Sequence, residues 1–259
     1  MLEPYHETEA GVLYCGDVRE VLGGMPDGCV DAVVTDPPYG LESYEAPTWS
    51  KNNRGNTTVG TQQWDVIPWG YIREAARVLG ERGTLLAFCK LADAGAVRKR
   101  FARWGVKPRD IITWINTTPI PRGCRPVYQS AAQAIVWCGR PGCYFDKPPD
   151  GRDRWNILMG PNTRSSTERV GHPTQKPEWL LRCLIRRHVQ PGGLVLDPFL
   201  GSGTTAVACI QTGRRYIGIE IDPGYCAVAE RRIAEALAQP RLPLDEEKPK
   251  AEQATLLEV

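Results

Sequence analysis

The chain has 259 residues, 42% of them apolar and 24% charged, which fits one large globular domain and excludes a disordered or fibrous main state. Its net charge of +2 hides a division: residues 1–95 carry 7 basic and 14 acidic side chains, residues 96–187 carry 18 and 6, and residues 188–259 carry 7 and 10. On charge alone, the basic middle suits either a polyanionic partner or a solvated arginine-rich face.

Taken in order, AVVTD (32–36) has the length and β-branched content of a buried strand, and WGYIREAARVL (69–79) has helical spacing. TLLAFC (84–89) predicts a strand, LADAGAVRKRFARW (91–104) a helix, and DIITWI (110–115) and AIVWC (134–138) two further strands. EWLLRCLIRRHV (178–189) is helical, LVLD (194–197) a strand, TTAVACIQTG (204–213) a helix stopped at Gly213, YIGIEI (216–221) a strand and PGYCAVAERRIAEALA (223–238) a last helix. Strand and helix in alternation give an α/β fold: a doubly wound, mostly parallel sheet covered on both faces.

Three stretches break the rhythm. Residues 41–66 are rich in Asn, Gly and Thr without a period, as expected of a mobile functional loop or of disorder. Residues 139–175 have little apolar periodicity beyond WNILM and are the candidate for a partner-touching insert. The tail from Gln239 is proline-broken and charged, so it is expected to fray. The reading is one catalytic domain over 1–238, with a flexible tail over 239–259.

Nine cysteines without a CxxC pair, and only three histidines, indicate neither a zinc site nor a disulfide framework. No metal is expected. MLEPYHETEA has no basic-then-apolar leader, and no apolar run approaches the about 20 residues that span a bilayer, so the protein is expected in the cytoplasm without membrane contact.

Two strings carry chemistry. In DPFLGSGTTA (197–206), directly after the strand LVLD, Gly201 and Gly203 would let the backbone turn sharply against a ligand at the sheet's carboxyl edge, where the amides of the next helix also point. As GxGxxA it also fits a dinucleotide fingerprint, with Glu220 at the end of the next strand as the ribose-binding carboxylate. A phosphate-binding P-loop is disfavoured, because Thr204 stands where its lysine belongs. In VDAVVTDPPYG, Asp36, Pro37, Pro38 and Tyr39 close a strand with a stiff lip that combines acceptors with a stacking face. Such a lip suits a planar base bearing an exocyclic NH2 group.

With these strings the sequence resembles the S-adenosylmethionine-dependent amino-methyltransferases of DNA. DPPY matches their catalytic motif, DPFLGSGTT their cofactor loop, YCGD (14–17) the element preceding DPPY, and HPTQKP (172–177) the segment leading into the helix before the cofactor strand. The catalytic motif precedes the cofactor loop, as in the permuted beta group. The resemblance spans about Leu13 to Ile233, and the dinucleotide reading falls behind because it leaves DPPY and HPTQKP unexplained.

The resemblance implies a Rossmann-like methyltransferase fold, S-adenosyl-L-methionine as cofactor, and double-stranded DNA as partner. A cognate restriction endonuclease is a further candidate partner, and the state is monomer or homodimer. It implies that Phe199, Gly201, Ser202 and Gly203 line the methionine end of the cofactor, with Thr204 and Thr205 at the helix start. Glu220 would bind the ribose and Asp17 lie near the adenine ring, while Lys176 with His172 and Thr174 would close the pocket. Asp197 is divided between cofactor contact and holding the loop, and His172 equally fits an ordinary loop histidine. Asp36 and Pro37 would accept hydrogen bonds from the target amino group, favouring a pyramidal nitrogen, and Tyr39 would stack on a base flipped from the duplex. Asp in the first motif position favours N6 of adenine; N4 of cytosine is the alternative, followed by RNA or protein methylation and by a non-catalytic nucleic-acid-binding protein on the same core.

The resemblance places target recognition at about residues 140–171. Arg98, Lys99, Arg100, Arg103, Lys107, Arg109, Arg122 and Arg125, with Arg152, Arg154, Arg164 and Arg169, could contact phosphates on either side of the cleft, with some of them facing bulk water instead. Trp64 and Trp155 are further stacking candidates, though either could simply pack against the core. One departure stands out: Gln133 occupies a strand position where relatives often carry glutamate.

Overall fold

The computed structural model describes residues 3–38, 70–119, 130–146, 155–163, 168–172 and 174–239. Tyr39, the expected loop 41–66, Arg122, Arg125, Arg152, Arg154, Arg164 and the tail from residue 240 lie outside the described residues.

Among the described residues nine strands form one sheet. Its order is β1 (His6–Thr8), β2 (Gly11–Cys15), β9 (Arg215–Glu220), β8 (Leu194–Asp197), β3 (Val30–Thr35), β4 (Leu79–Cys89), β6 (Ala132–Gly139), β5 (Lys107–Asn116) and β7 (Ile157–Gly160). The centre, from β2 through β9, β8 and β3 to β4, is parallel; β6 runs antiparallel to β4 and β5, and β1 antiparallel to β2. Helices α1 (Val18–Gly23), α2 (Tyr71–Val78) and α3 (Ala94–Ala102) cover one face, and α4 (Glu178–His188), α5 (Thr204–Gln211) and α6 (Pro223–Ala238) the other. The architecture is the expected Rossmann-like α/β sheet.

The central strands are buried on both sides, which is why they read as unbroken apolar runs. In β3, Ala32 and Val34 enter the core under α4–α6, while Val33 enters the core under α1–α3. On α4, Leu180, Leu181, Leu184 and Ile185 are each at most 2% exposed. Burying such side chains contributes about 1.5–3 kcal/mol apiece, enough to fix which face the helix presents.

The order of the centre locates the site. From β3 the chain crosses by α2 to β4 on one side, and from β8 it crosses by α5 to β9 on the other, so the connections diverge between β3 and β8. In an open α/β sheet that divergence opens a crevice at the carboxyl ends of the strands. Asp36 directly follows β3 and Asp197 ends β8, so both strings of interest meet there.

Some elements were not foreseen. The hairpin β1–β2 and the helix α1 precede the first expected strand, and WNILM supplies β7, which pairs parallel with β5 as an edge strand. The described part of 140–171 is therefore partly sheet. Strand pairing also corrects the placement of the basic residues. Lys107 pairs with Gly139, which pairs with Thr84, five residues before the carboxyl end of β4. Lys107 and Arg109 thus sit toward the amino edge of the parallel strands, away from Asp36. Lys99, Arg100 and Arg103 lie exposed on or just beyond α3, which descends from the carboxyl edge toward that same end.

Candidate active site

Asp36, Pro37 and Pro38 leave β3 at the crevice, with Pro37 buried and Pro38 half-buried. The Asp36 side chain is 22% exposed, and its Oδ2 accepts a hydrogen bond from Lys176 Nζ. Lys176 is itself buried and lies over the Phe88 ring, 5.1 Å from its centroid. The structure therefore brings the DPPY string and the HPTQKP segment into direct contact.

Across the crevice, Asp197 is 4% exposed and acts inward. Its Oδ1 accepts from Phe199 N at 3.1 Å and its Oδ2 from Thr205 Oγ1 at 2.5 Å, so it holds the loop it begins. Burial raises its pKa to about 7 despite these bonds. Phe199 is half-buried and meets Tyr71 of α2 edge-on, ring centroids 5.0 Å apart. Gly201 and Gly203 both adopt left-handed backbone, φ 56° and 86°, and an added Cβ at Gly203 would lie 3.0 Å from Ala229 of α6. Gly203 also caps α5. The glycines thus shape the turn, and close packing against α6 requires the second of them.

The loop hydroxyls point into the protein. Arg232 of α6, 4% exposed, donates through Nη1 to the Ser202 carbonyl at 2.8 Å and to Thr204 Oγ1 at 3.0 Å. Its Nη2 donates to Glu178 Oε1 at 2.7 Å, at the first turn of α4. Ser202 and Thr204 through Arg232, and Thr205 through Asp197, therefore brace the loop with their side chains.

Glu220 ends β9 beside the loop. Its Oε2 accepts from Gly201 N and its Oε1 from Asp222 N, both at 2.8 Å, and burial raises its pKa. A carboxylate accepts about four hydrogen bonds, so two amides do not exhaust it. Cys15 pairs with Glu220 in the sheet, placing Asp17 at the same edge. Asp17 caps α1 through Arg19 N at 2.7 Å and bonds the Arg19 guanidinium, which lowers its pKa. His172 packs against Tyr225 of α6 with ring centroids 4.4 Å apart, and burial lowers its pKa to about 4, so it is neutral at pH 7. Its Nε2 would lie 3.2 Å from a Cβ on Gly201, which puts the ring beside the glycine loop. Thr174 is exposed.

Sequence reasoning missed Arg232, Glu178, Gln175 and Tyr225. Arg232 carried a signal: it falls on the α6 stripe of Cys226, Ala229, Ile233 and Ala236, where an arginine has to find buried partners. Gln175, 8% exposed, donates to the Glu168 carbonyl at 2.7 Å and accepts from Val170 N at 3.1 Å, fixing the segment before Lys176. Trp155 is 62% exposed beside β7, far along the sheet order from β3. Among the described residues no cluster of His, Cys, Asp and Glu could hold a metal ion, and no helix is long and apolar enough to cross a membrane.

The crevice thus presents an anionic acceptor on a stiff lip, a glycine loop opening a helix, and a carboxylate at the next strand. Residues 30–231 match the family model for N6/N4 DNA methylases. The type II methyltransferase M2.DpnII of Streptococcus pneumoniae is 30% identical over 255 residues, covering 90% of this chain and 93% of the relative. M2.LlaDCHI of Lactococcus lactis subsp. cremoris is 29% identical with the same coverage. Among solved structures, the M1.HpyAVI–SAM complex aligns with a TM-score of 0.65 at 25% identity, over 85% of this chain and 98% of that one. PvuII DNA methyltransferase, cytosine-N4-specific, aligns at 0.69 over 91% and 94% with 20% identity, a likeness of fold alone.

Proposed function

This chain belongs to the N6/N4 DNA methylase family of S-adenosylmethionine-dependent DNA amino-methyltransferases, and from that premise we propose that it methylates N6 of adenine in double-stranded DNA. The observation that carries the reading is Asp36, a carboxylate acceptor on a proline-stiffened lip at the β3–β8 crevice.

The residues present fit the cofactor. Glu220 has acceptor capacity left for ribose hydroxyls, and the braced loop lies beside it, joined through the Gly201 amide. When bound, S-adenosylmethionine supplies a methyl group already activated on sulfur. The chain's task is then to orient the acceptor. Asp36 and the Pro37 carbonyl would accept from the amino hydrogens, turning the nitrogen lone pair out of the ring and stabilising the positive charge that grows on it. Tyr39 would stack on the flipped base. No covalent enzyme intermediate is needed in this route. Asp17, His172 and Thr174 complete the proposed cofactor rim, and a cognate restriction endonuclease belongs to the same proposal, supported by the type II designation of the relatives.

The test is transfer of a labelled methyl group to unmethylated DNA followed by nucleoside analysis. Label in N6-methyladenine is expected. Label in N4-methylcytosine would overturn the choice of base, and cofactor and DNA binding without transfer would overturn the enzymatic reading.

A further inference from the structure

Lys176 does more than its place in HPTQKP implies. At 8% exposure its ammonium has given up most of its water, and a buried cation persists only where an anion and further favourable contacts replace that water. Asp36 Oδ2 supplies the anion, and the face of Phe88, itself 1% exposed, supplies the second contact. The ammonium is clasped between the floor of β4 and the lip after β3.

We propose that Lys176 is the positioning residue of Asp36: it fixes the carboxylate's direction and compensates its charge, so that the acceptor is set before the amino group arrives. This rests on Asp36 being the amino-group acceptor, as inferred above. Among the described residues, the titratable groups facing Asp36 include Lys176 and His172 from the same segment, Asp197 at the end of β8, Cys89 of β4 and Tyr71 of α2. Of these, His172 is neutral at pH 7 and Lys176 is the cation. A carboxylate offers about four lone-pair sites, so an ammonium and an amino group can be accepted together.

The mount is rigid. Gln175 ties the preceding residue to Glu168 and Val170, and Pro177 leads directly into α4. Glu178 bonds Arg232, which grips Ser202 and Thr204 of the cofactor loop. One network thus sets the acceptor's lysine and the cofactor loop relative to each other, as a reaction requiring alignment of nitrogen and methyl demands.

The experiment compares Lys176→Met and Lys176→Arg with the wild type in steady-state methylation and in S-adenosylmethionine binding. For K176M, kcat is expected to fall by about 10²-fold, the scale of a misplaced reacting group, while the cofactor Kd stays within about threefold. K176R is expected to recover part of kcat. A cofactor Kd that weakens as much as kcat/KM falls would make Lys176 a cofactor ligand and overturn the proposal, as would an arginine variant no better than methionine. If K176M does not melt cooperatively, K176Q is read in the same way. Wild-type protein that transfers no methyl group would overturn the proposed function instead.

Discussion

Arg232 and Glu178, 54 residues apart, form a buried ion pair at 2.7 Å whose arginine is 4% exposed and whose glutamate is 14% exposed. The pair joins α6 to α4, and the same guanidinium holds the Ser202 carbonyl. Removing the arginine leaves Glu178 with Gln211 Nε2 at 3.0 Å and Arg182 at 3.8 Å, so the cost stays below the about 3–5 kcal/mol of a fully stranded buried charge. Arg232→Met should still lower the urea midpoint and weaken cofactor binding, because the loop loses its brace. A variant with wild-type melting and cofactor affinity would show the brace to be dispensable.

Asp36→Ala removes the acceptor but touches none of the contacts made by Asp197, Glu220 or Arg232. Methyl transfer should drop by about 10²–10³-fold or more, the effect of deleting one preorganised electrostatic partner. Cofactor affinity measured by calorimetry should stay near the wild-type value. Equal losses in both would place Asp36 in the cofactor pocket.

Gly203→Ala tests the loop geometry. The left-handed φ of 86° disfavours any L side chain by roughly 1–2 kcal/mol, and the new methyl would press on Ala229 at 3.0 Å. Both cofactor affinity and thermal midpoint should fall, and fall together, since the strain sits where the loop meets α6.

Asp197 predicts an unusual pH response. Its folded pKa, raised by burial to about 7, lies above its ordinary 3.8. The folded state thus holds the proton more tightly, and this contribution to stability is complete below about pH 4 and disappears as pH climbs to about 7. Each unit of separation corresponds to about 1.4 kcal/mol. Asp197→Asn keeps an oxygen for Phe199 N and an amide for Thr205 Oγ1. It should flatten this part of the stability profile and be at least as stable as the wild type at pH 8. A parallel, undisplaced profile for the variant in chemical denaturation would contradict the assignment.

The basic middle is divided by the sheet. Lys107 and Arg109 lie toward the amino edge, so Lys107→Glu with Arg109→Glu should leave DNA affinity within about threefold and the salt slope unchanged. A slope reduced by about 0.9 per lost charge would show that DNA wraps around to that edge.

The sequence disclosed the alternating core and both strings at the carboxyl edge because buried parallel strands are continuous apolar runs and the strings have fixed spacing. The short β2 and α1 escaped notice: five and six residues carry too little periodicity. The role of Lys176 escaped for another reason. Its partner, Asp36, is 140 residues away, and only the packing of α4 beneath the sheet brings them together. Likewise, which of the basic residues after 97 face the cleft and which face bulk water was settled only by the antiparallel turn of β5 and β6.

Glu220 grips the amides of Gly201 and Asp222 with the same carboxylate proposed to bind the ribose. The pocket wall is also a fastener of the turn it faces. Occupancy and foldedness are then linked quantities: a ligand present at 100 times its Kd adds about 2.7 kcal/mol to the native state. In a cell where the methyl donor is abundant, that ligand would act as a structural component of the protein, and its depletion would loosen the loop as well as halt the chemistry.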